Sequence, residues 1–326
     1  MTMSEPKGEA LNLVVTNIKT ETQAIRSITL AKDDDGCLPG WSAGAHIDIE
    51  LPSGDRRSYS LMNTSAIEQI KQPKSYRIGV RLEEPSSGGS AFVHGLKTGD
   101  RVIASSPKNN FPLGSEKGEI LLLAGGVGIT PIMSMAAELK GRGSAFRLIY
   151  AGRARADLAF VQELEALLGA RLEIHDDSTS GVLNIEAAVR SLSKDATLYV
   201  CGPVPMIDAA ISAARALNWP DGQLRFEIFS KPTVVEGDKA FEVVLAKSGK
   251  RFQVQPDRSI LDTLIDSGEK LPHDCKRGDC GVCQVGVLEG LPEHRDYYLS
   301  EKERSANKLI QICVSRSKTP VLVLDM

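Results

Sequence analysis

The chain has 326 residues, 39 Lys and Arg against 42 Asp and Glu, a net charge of −3, and 42% hydrophobic with 25% charged residues. This balance offers no general case for nucleic acid or an anionic membrane as partner, and the length suggests two or three domains. Met1–Ala10 lacks the apolar stretch of a signal peptide, and no run of about 18 apolar residues occurs, so the chain reads as cytoplasmic without a spanning helix.

In chain order, the first third reads as β. Short β-prone runs at Leu11–Val15, Ile25–Leu30, His46–Leu51, Arg57–Met62, Tyr76–Leu82 and Arg101–Ala104 are separated by turn clusters such as Pro52-Ser53-Gly54-Asp55. Only one short helix, Ser90–Leu96, is expected among them. This pattern predicts an antiparallel barrel or sandwich. The middle third alternates. Strand Glu119–Leu123 precedes a helix Pro131–Leu139 that begins at its proline. Strand Phe146–Tyr150, helix Leu158–Leu168, strand Arg171–His175 and helix Ile185–Leu192 follow. Strand Thr197–Cys201, helix Met206–Leu217 and strand Leu224–Phe229 complete the run, which is the pattern of a parallel sheet with covered faces. Lys231–Lys239 reads as a linker. Beyond it come a hairpin of Phe241–Leu245 and Phe252–Val254, a helix Ile260–Asp266 capped by Ser259, and a final strand Val321–Leu324.

Four of the six cysteines carry the most specific signal. Cys275-x4-Cys280-x2-Cys283 with distant Cys313 is the plant-type [2Fe–2S] spacing. Gly278 and Gly281 allow backbone amides to approach the sulfurs. Cys313, in the strand-like Leu309–Val314, is the fourth candidate ligand. Zinc prefers paired knuckles, and the x4 gap fits a ferredoxin better; a zinc-stabilised binding module without redox activity is the rival reading.

Two further motifs lie on the predicted parallel sheet. Gly125-Gly126-Val127-Gly128-Ile129-Thr130-Pro131 joins a strand to a helix, where glycines and free amides admit a pyrophosphate and Thr130 adds a hydroxyl. It is not the strict G-x-G-x-x-G fingerprint. Cys201-Gly202-Pro203-Val204-Pro205-Met206 ends a later strand, where Cys201 either packs near a nicotinamide ring or is a buried structural thiol. In the β region, Arg57 and Tyr59 of Arg57-Ser58-Tyr59-Ser60 share one strand face and suit a phosphate and a flat ring, while Ser60 faces the other way. Ser86-Ser87-Gly88-Gly89-Ser90, before the short helix, is a second candidate anion loop.

Taken together, these motifs resemble the phthalate dioxygenase reductase family, to which the vanillate demethylase reductases also belong; the likeness covers the chain after residue 10. It implies three domains: an FMN-binding β-barrel over 1–112, an NAD(P)-binding α/β domain over 113–230, and, after a linker 231–240, an α+β plant-type ferredoxin over 241–326. By resemblance, Arg57, Gly88, Gly89 and Ser90 hold the FMN phosphate, Ser58 belongs to the same flavin motif, Tyr59 packs on the isoalloxazine and Ser60 lies near its N5. Gly125, Gly126, Gly128, Thr130, Pro131, Cys201, Gly202, Pro203 and Met206 line the NAD(P)H side, and Phe229 packs near the flavin. Ser60, Cys201 and Phe229 are the residues expected at the reacting atoms, and Cys275, Cys280, Cys283 and Cys313 the iron ligands.

The implied function is transfer of electrons from NADH through FMN to a [2Fe–2S] cluster and on to a Rieske-type oxygenase of aromatic compound catabolism. Plant-type clusters lie near about −400 mV and Rieske centres from about −150 to +300 mV, so delivery is downhill. Another acceptor, such as a cytochrome, is the alternative. Arg153 and Arg155 follow the second strand of the middle domain and would suit the 2′-phosphate of NADPH, or serve as surface charge; the resemblance favours NADH. The five histidines are read as structural or surface residues, with His273 beside the cysteine loop.

Overall fold

A computed structural model describes residues 10–64, 67–84, 86, 88–116, 118–220, 222–230 and 235–326. The N-terminal segment through Glu9, Ser87 of the anion loop and Lys231–Val234 of the predicted linker lie outside them. The chain divides into two compact units between Glu227 and Ile228.

The first unit begins with strands β1 (Leu11–Thr20), β2 (Ile25–Ala31), β3 (His46–Glu50), β4 (Arg56–Ser60) and β5 (Ser75–Arg81), then helix α1 (Gly89–Gly95) and strand β6 (Arg101–Ala104). The strands form one antiparallel sheet in the order β4-β3-β6-β1-β2-β5. A bridge between Leu61, just past β4, and Ile78 of β5 brings its two edges together, which closes the barrel. Alternate residues point inward, so Leu13, Val15, Ile28, Leu30, Ile47, Ile49, Tyr76 and Ile78 make its core.

The same unit continues with β7 (Ile120–Gly125), α2 (Ile129–Gly141), β8 (Phe146–Gly152), α3 (Val161–Leu168), β9 (Leu172–Asp176), α4 (Asp177–Ser180), α5 (Ile185–Arg190), β10 (Thr197–Cys201), α6 (Val204–Ala216) and β11 (Leu224–Glu227). Its sheet is parallel, in the order β11-β10-β7-β8-β9. All six residues of central β7 are buried, because helices cover both faces of such a sheet; this is why the run is uniformly apolar.

Several expected boundaries shift, and three of the shifts bear on the site. Helix α2 starts at Ile129, fed by a 3-10 turn over Gly126–Gly128, so Pro131 is its third residue rather than its first. Its missing N–H is harmless there because first-turn amides have no helical acceptor. Helix α3 starts at Val161 instead of Leu158, since Phe160 takes a left-handed φ of 62° that ends the preceding chain path. Strand β11 stops at Glu227, two residues before Phe229.

The second unit contains β12 (Phe241–Leu245), β13 (Arg251–Val254), α7 (Ile260–Asp266), β14 (Gln284–Glu289), β15 (Pro292–Glu293), α8 (Glu301–Ala306), β16 (Leu309–Gln311), β17 (Arg316–Ser317) and β18 (Val321–Leu324). Five strands form a mixed sheet ordered β13-β12-β18-β14-β16, with β12 and β18 parallel. Helix α7 buries Ile260, Leu261 and Leu264 against Val243, Val254, Ile310 and Leu322. The Ser259 side chain caps it as expected, accepting the Asp262 amide at 3.0 Å. The expected strand through Cys313 ends at Gln311, and Cys313 lies in the turn beyond. Asp238, near the end of the predicted linker, is fixed to this unit by Arg295, whose Nη1 donates to Asp238 Oδ2 at 2.9 Å.

Candidate functional site

The second unit holds the four predicted ligand cysteines as two close pairs, with Cys275 and Cys280 near enough to act electrostatically on Cys313. The Cys283 and Cys313 sulfurs are 3.0 Å apart, and those of Cys275 and Cys280 lie within 4.8 Å of each other. Two glycines make the loop possible. Gly278 and Gly281 have φ of +84° and +77°, the left-handed region that glycine tolerates. A Cβ on Gly278 would stand 2.6 Å from Val314 Cγ2, and one on Gly281 only 2.4 Å from the Tyr298 ring. The loop thus presses its backbone against neighbours on both sides and turns its amides inward; the Arg277 N–H donates to Cys275 Sγ at 3.3 Å.

Hydrogen bonding between Cys275 and Cys280 lowers the Cys280 pKa to about 6, and that between Cys283 and Cys313 holds Cys283 below its ordinary value. Cys275 and Cys313 are pushed up in return, chiefly by those same bonds. Thiolate is the ligand form, and four sulfurs with inward amides fit a [2Fe–2S] cluster.

In the first unit, the two nucleotide-side motifs meet backbone to backbone. A Cβ on Gly128 would lie 2.2 Å from the Cys201 carbonyl oxygen, and one on Gly202 would lie 3.1 Å from Gly125 Cα. Pro203 Cδ and Met206 would meet a Cβ on Gly125 at 2.6 and 3.0 Å. Both loops sit at the carboxyl ends of adjacent strands β7 and β10, where open α/β sheets bind ligands. The Tyr150 hydroxyl steadies the first loop by donating to the Gly126 carbonyl at 3.0 Å. Thr130 is buried, its hydroxyl donating to the Val127 carbonyl, and its methyl group lies beside Gly79 of β5. Cys201 is fully buried.

The start of α2 also reaches the barrel. Ser134 donates to the Leu61 carbonyl at 2.9 Å and accepts from the Asn63 amide at 2.9 Å. This places the nucleotide loop beside the end of the Arg57-Ser58-Tyr59-Ser60 strand. On that strand, Ser60 is buried and the Ser58 hydroxyl donates to Asp48 at 2.6 Å. A Cβ on Gly89 would lie 2.5 Å from Arg57 Cγ and 3.1 Å from the Tyr59 hydroxyl. The two candidate phosphate elements are therefore one cradle, and Gly88 enters it with φ +98°. Burial, partly offset by Arg57, pushes the Tyr59 pKa up to about 12. Ser90 is committed locally, accepting the Glu83 amide at 3.1 Å and touching Ser86 Oγ at 3.0 Å.

Comparison with known proteins agrees with this geometry. Residues 122–211 match the oxidoreductase NAD-binding domain, and residues 243–318 match the 2Fe-2S iron-sulfur cluster binding domain. A tetrachlorobenzoquinone reductase of Sphingobium chlorophenolicum is 40% identical, over 97% of this chain and 98% of its own. A vanillate O-demethylase oxidoreductase of Pseudomonas putida is 38% identical, over 97% and 100%. The solved structure of phthalate dioxygenase reductase, described as a modular structure for electron transfer from pyridine nucleotides to [2Fe-2S], superposes with a TM-score of 0.74 at 32% identity, over 97% and 98%. The chain belongs to the phthalate dioxygenase reductase family.

This member of the phthalate dioxygenase reductase family is thus an oxidoreductase with a nucleotide-binding sheet and a [2Fe–2S] domain. Its structure also brings forward residues that sequence reasoning passed over. Glu227 pairs in register with Cys201, and it is buried at the carboxyl end of β11; a carboxylate between apolar Phe226 and Ile228 was the available signal. Gln311, fully buried, stands 3.4 Å from Cys283 Sγ. Arg155 is bound to Glu165 at 2.6 Å while its amide donates to Asp176. Phe229 is half-buried two residues past β11 and groups with the second unit. No helix among the described residues is long and apolar enough to cross a membrane.

Proposed function

We propose that this chain is the cytoplasmic reductase component of a multicomponent oxygenase, drawing electrons from NADH and passing them singly to a Rieske-type oxygenase acting on an aromatic compound. The observation that carries the reading is the convergence of Cys275, Cys280, Cys283 and Cys313 in a chain that also pairs two ligand loops at the carboxyl edge of a parallel sheet. In this reading residues 1–112 serve the flavin, 113–230 the nucleotide and 241–326 the cluster, with 231–240 between them.

FMN supplies the exchange between two-electron and one-electron chemistry, and the cluster supplies single-electron transfer. The side chains do the rest. Arg57 with the backbone of Gly88, Gly89 and Ser90 binds the FMN phosphate, the glycine letting the helix start close on the aliphatic stem of Arg57. Tyr59 offers a ring that burial keeps neutral. Ser60 and Cys201 border the place where nicotinamide and flavin meet, and Ser58 is oriented by Asp48. Phe229 is assigned to the flavin from the family likeness alone. Gly125, Gly126 and Gly128 admit the pyrophosphate, with Thr130 and Pro131 shaping the helix start; Gly202, Pro203 and Met206 wall the other side. NADH is the assigned donor from the family likeness.

A second reading, reduction of a quinone, rests on the 40% identical relative named tetrachlorobenzoquinone reductase. Capture of the partner from native cells under reducing conditions, followed by NADH-dependent turnover of the captured oxygenase, tests the first. Under the first reading turnover disappears in Cys313→Ser; quinone reduction that survives this change, with no oxygenase captured, would establish the second.

A further inference from the structure

Between ligands Cys275 and Cys280 the loop carries three charges, Lys276, Arg277 and Asp279. Lys276 turns away, its ammonium bound to Asp262 of α7 at 2.9 Å. Asp279 turns in: one of its carboxylate oxygens lies within 4.8 Å of both the Cys275 and Cys280 sulfurs. The carboxylate is held there. Its Oδ2 accepts the Ile228 N–H at 3.3 Å, while Oδ1 is buried with no hydrogen bond beyond what a neighbouring thiol could offer. Ligation removes that offer, because a ligating cysteine has lost its proton. A fixed anion then faces two anionic ligands in a partly buried place, where charges interact more strongly than in water.

Cluster reduction adds one electron, supplied by NADH through the flavin, and makes or breaks no bond. It increases the negative charge beside Asp279, so the carboxylate opposes it. The inward amides act in the other direction, since hydrogen bonds to sulfur disperse that charge. We propose that Asp279 is a tuning residue that holds the reduction potential of the cluster down, with the Ile228 amide fixing its carboxylate against the Cys275–Cys280 edge. A low-potential cluster passes its electron onward with a greater driving force and accepts it from the flavin less readily, so Asp279 sets the division of electrons between the two groups. The inference rests on the [2Fe–2S] assignment above.

The test is a redox titration of holoprotein, followed by the EPR signal of the reduced cluster, with iron and sulfide content measured on each sample. Asp279→Asn and Asp279→Ser should raise the potential so that the flavin-to-cluster equilibrium constant grows at least tenfold, which is 59 mV for one electron. Asp279→Glu should stay within threefold of the parent. Unchanged potentials in cluster-loaded Asn and Ser variants would overturn the proposal. So would a Glu variant shifted as far as Asn, or loss of the cluster from both Asn and Ser but not Glu, which would make the carboxylate a structural support. Parent protein lacking iron and sulfide would instead overturn the cluster assignment itself.

Discussion

Gly128→Ala isolates the contact that joins the two nucleotide-side loops. Gly128 has φ −61°, which any residue adopts, so the substitution introduces no backbone strain. The added methyl would stand 2.2 Å from the Cys201 oxygen, 2.5 Å from its carbonyl carbon and 2.8 Å from the Gly202 nitrogen. All three are main-chain atoms at the end of a central strand and cannot rotate aside. Restoring van der Waals separation requires the loops to part by roughly 1.2 Å. Overpacking of this kind costs about 1–3 kcal/mol, and a misplacement of about 1 Å can slow a reaction by about 100-fold. We expect anaerobic stopped-flow reduction of the flavin by NADH to slow by about 10- to 100-fold, with the flavin and cluster absorption unchanged and reduction by dithionite intact. Gly141→Ala, at the far end of α2 with open space around it, is the control and should leave the rate alone. A Gly128→Ala protein with parental hydride-transfer rate and thermal midpoint would refute the claim that the two loops are held by direct backbone contact.

Other perturbations probe the remaining parts. Cys283→Ser should remove cluster absorption and cluster-dependent cytochrome c reduction yet retain NADH–ferricyanide activity; loss of both activities in folded protein would contradict a modular electron path. Acid extraction of the parent should release FMN, and Gly89→Val, which drives a branched side chain into Arg57, should lose at least tenfold in FMN affinity by fluorescence titration; FAD in the extract would overturn the phosphate cradle. Arg77 binds Glu163 through two bonds of 2.7 and 2.8 Å and lowers the Glu163 pKa. Glu163→Gln should therefore cost about 1 kcal/mol at neutral pH. Because the folded pKa is the lower one, this contribution is fully present above the unfolded carboxylate value and lost as pH falls through the folded value, so the gap in thermal midpoint between parent and variant should hold near neutral pH and narrow progressively as pH falls below about 4.3. A gap that does not narrow on acidification would exclude the ion pair as its source.

Much of the fold was legible because its signals are local. Strands β6, β10, β12 and β18 lie where β-prone runs placed them, since each is a short apolar or alternating run bounded by turn residues. Helix α7 was legible from Ser259 and three apolar residues on one face. Helix α8 was not, because Glu301–Ala306 has no apolar stripe; its one signal was the capping box of Ser300 and Glu303. The start of α3 was misplaced because Leu158 and Ala159 are buried and read as helix, whereas the left-handed Phe160 interrupts the path. The expected strand through Cys313 overran Gln311 for a related reason: Ile312 and Val314 look like strand residues, but the turn that delivers the ligand sulfur needs them buried.

The sequence by itself determined which atoms are available and in what order: four cysteines at ferredoxin spacing, two glycine-bearing loops after strands, and an arginine–tyrosine strand. Those features are written in covalent spacing, which survives without a fold. Tertiary structure alone decided which of them touch. Gly128 meets Cys201 across 73 positions because β7 and β10 are neighbours in the parallel sheet, Gly89 meets Arg57 because α1 packs over the barrel, and Asp279, one charge among three in its loop, faces the sulfurs because left-handed glycines turn the chain that way. Such contacts depend on sheet register and loop handedness, and no stretch of sequence read locally contains either.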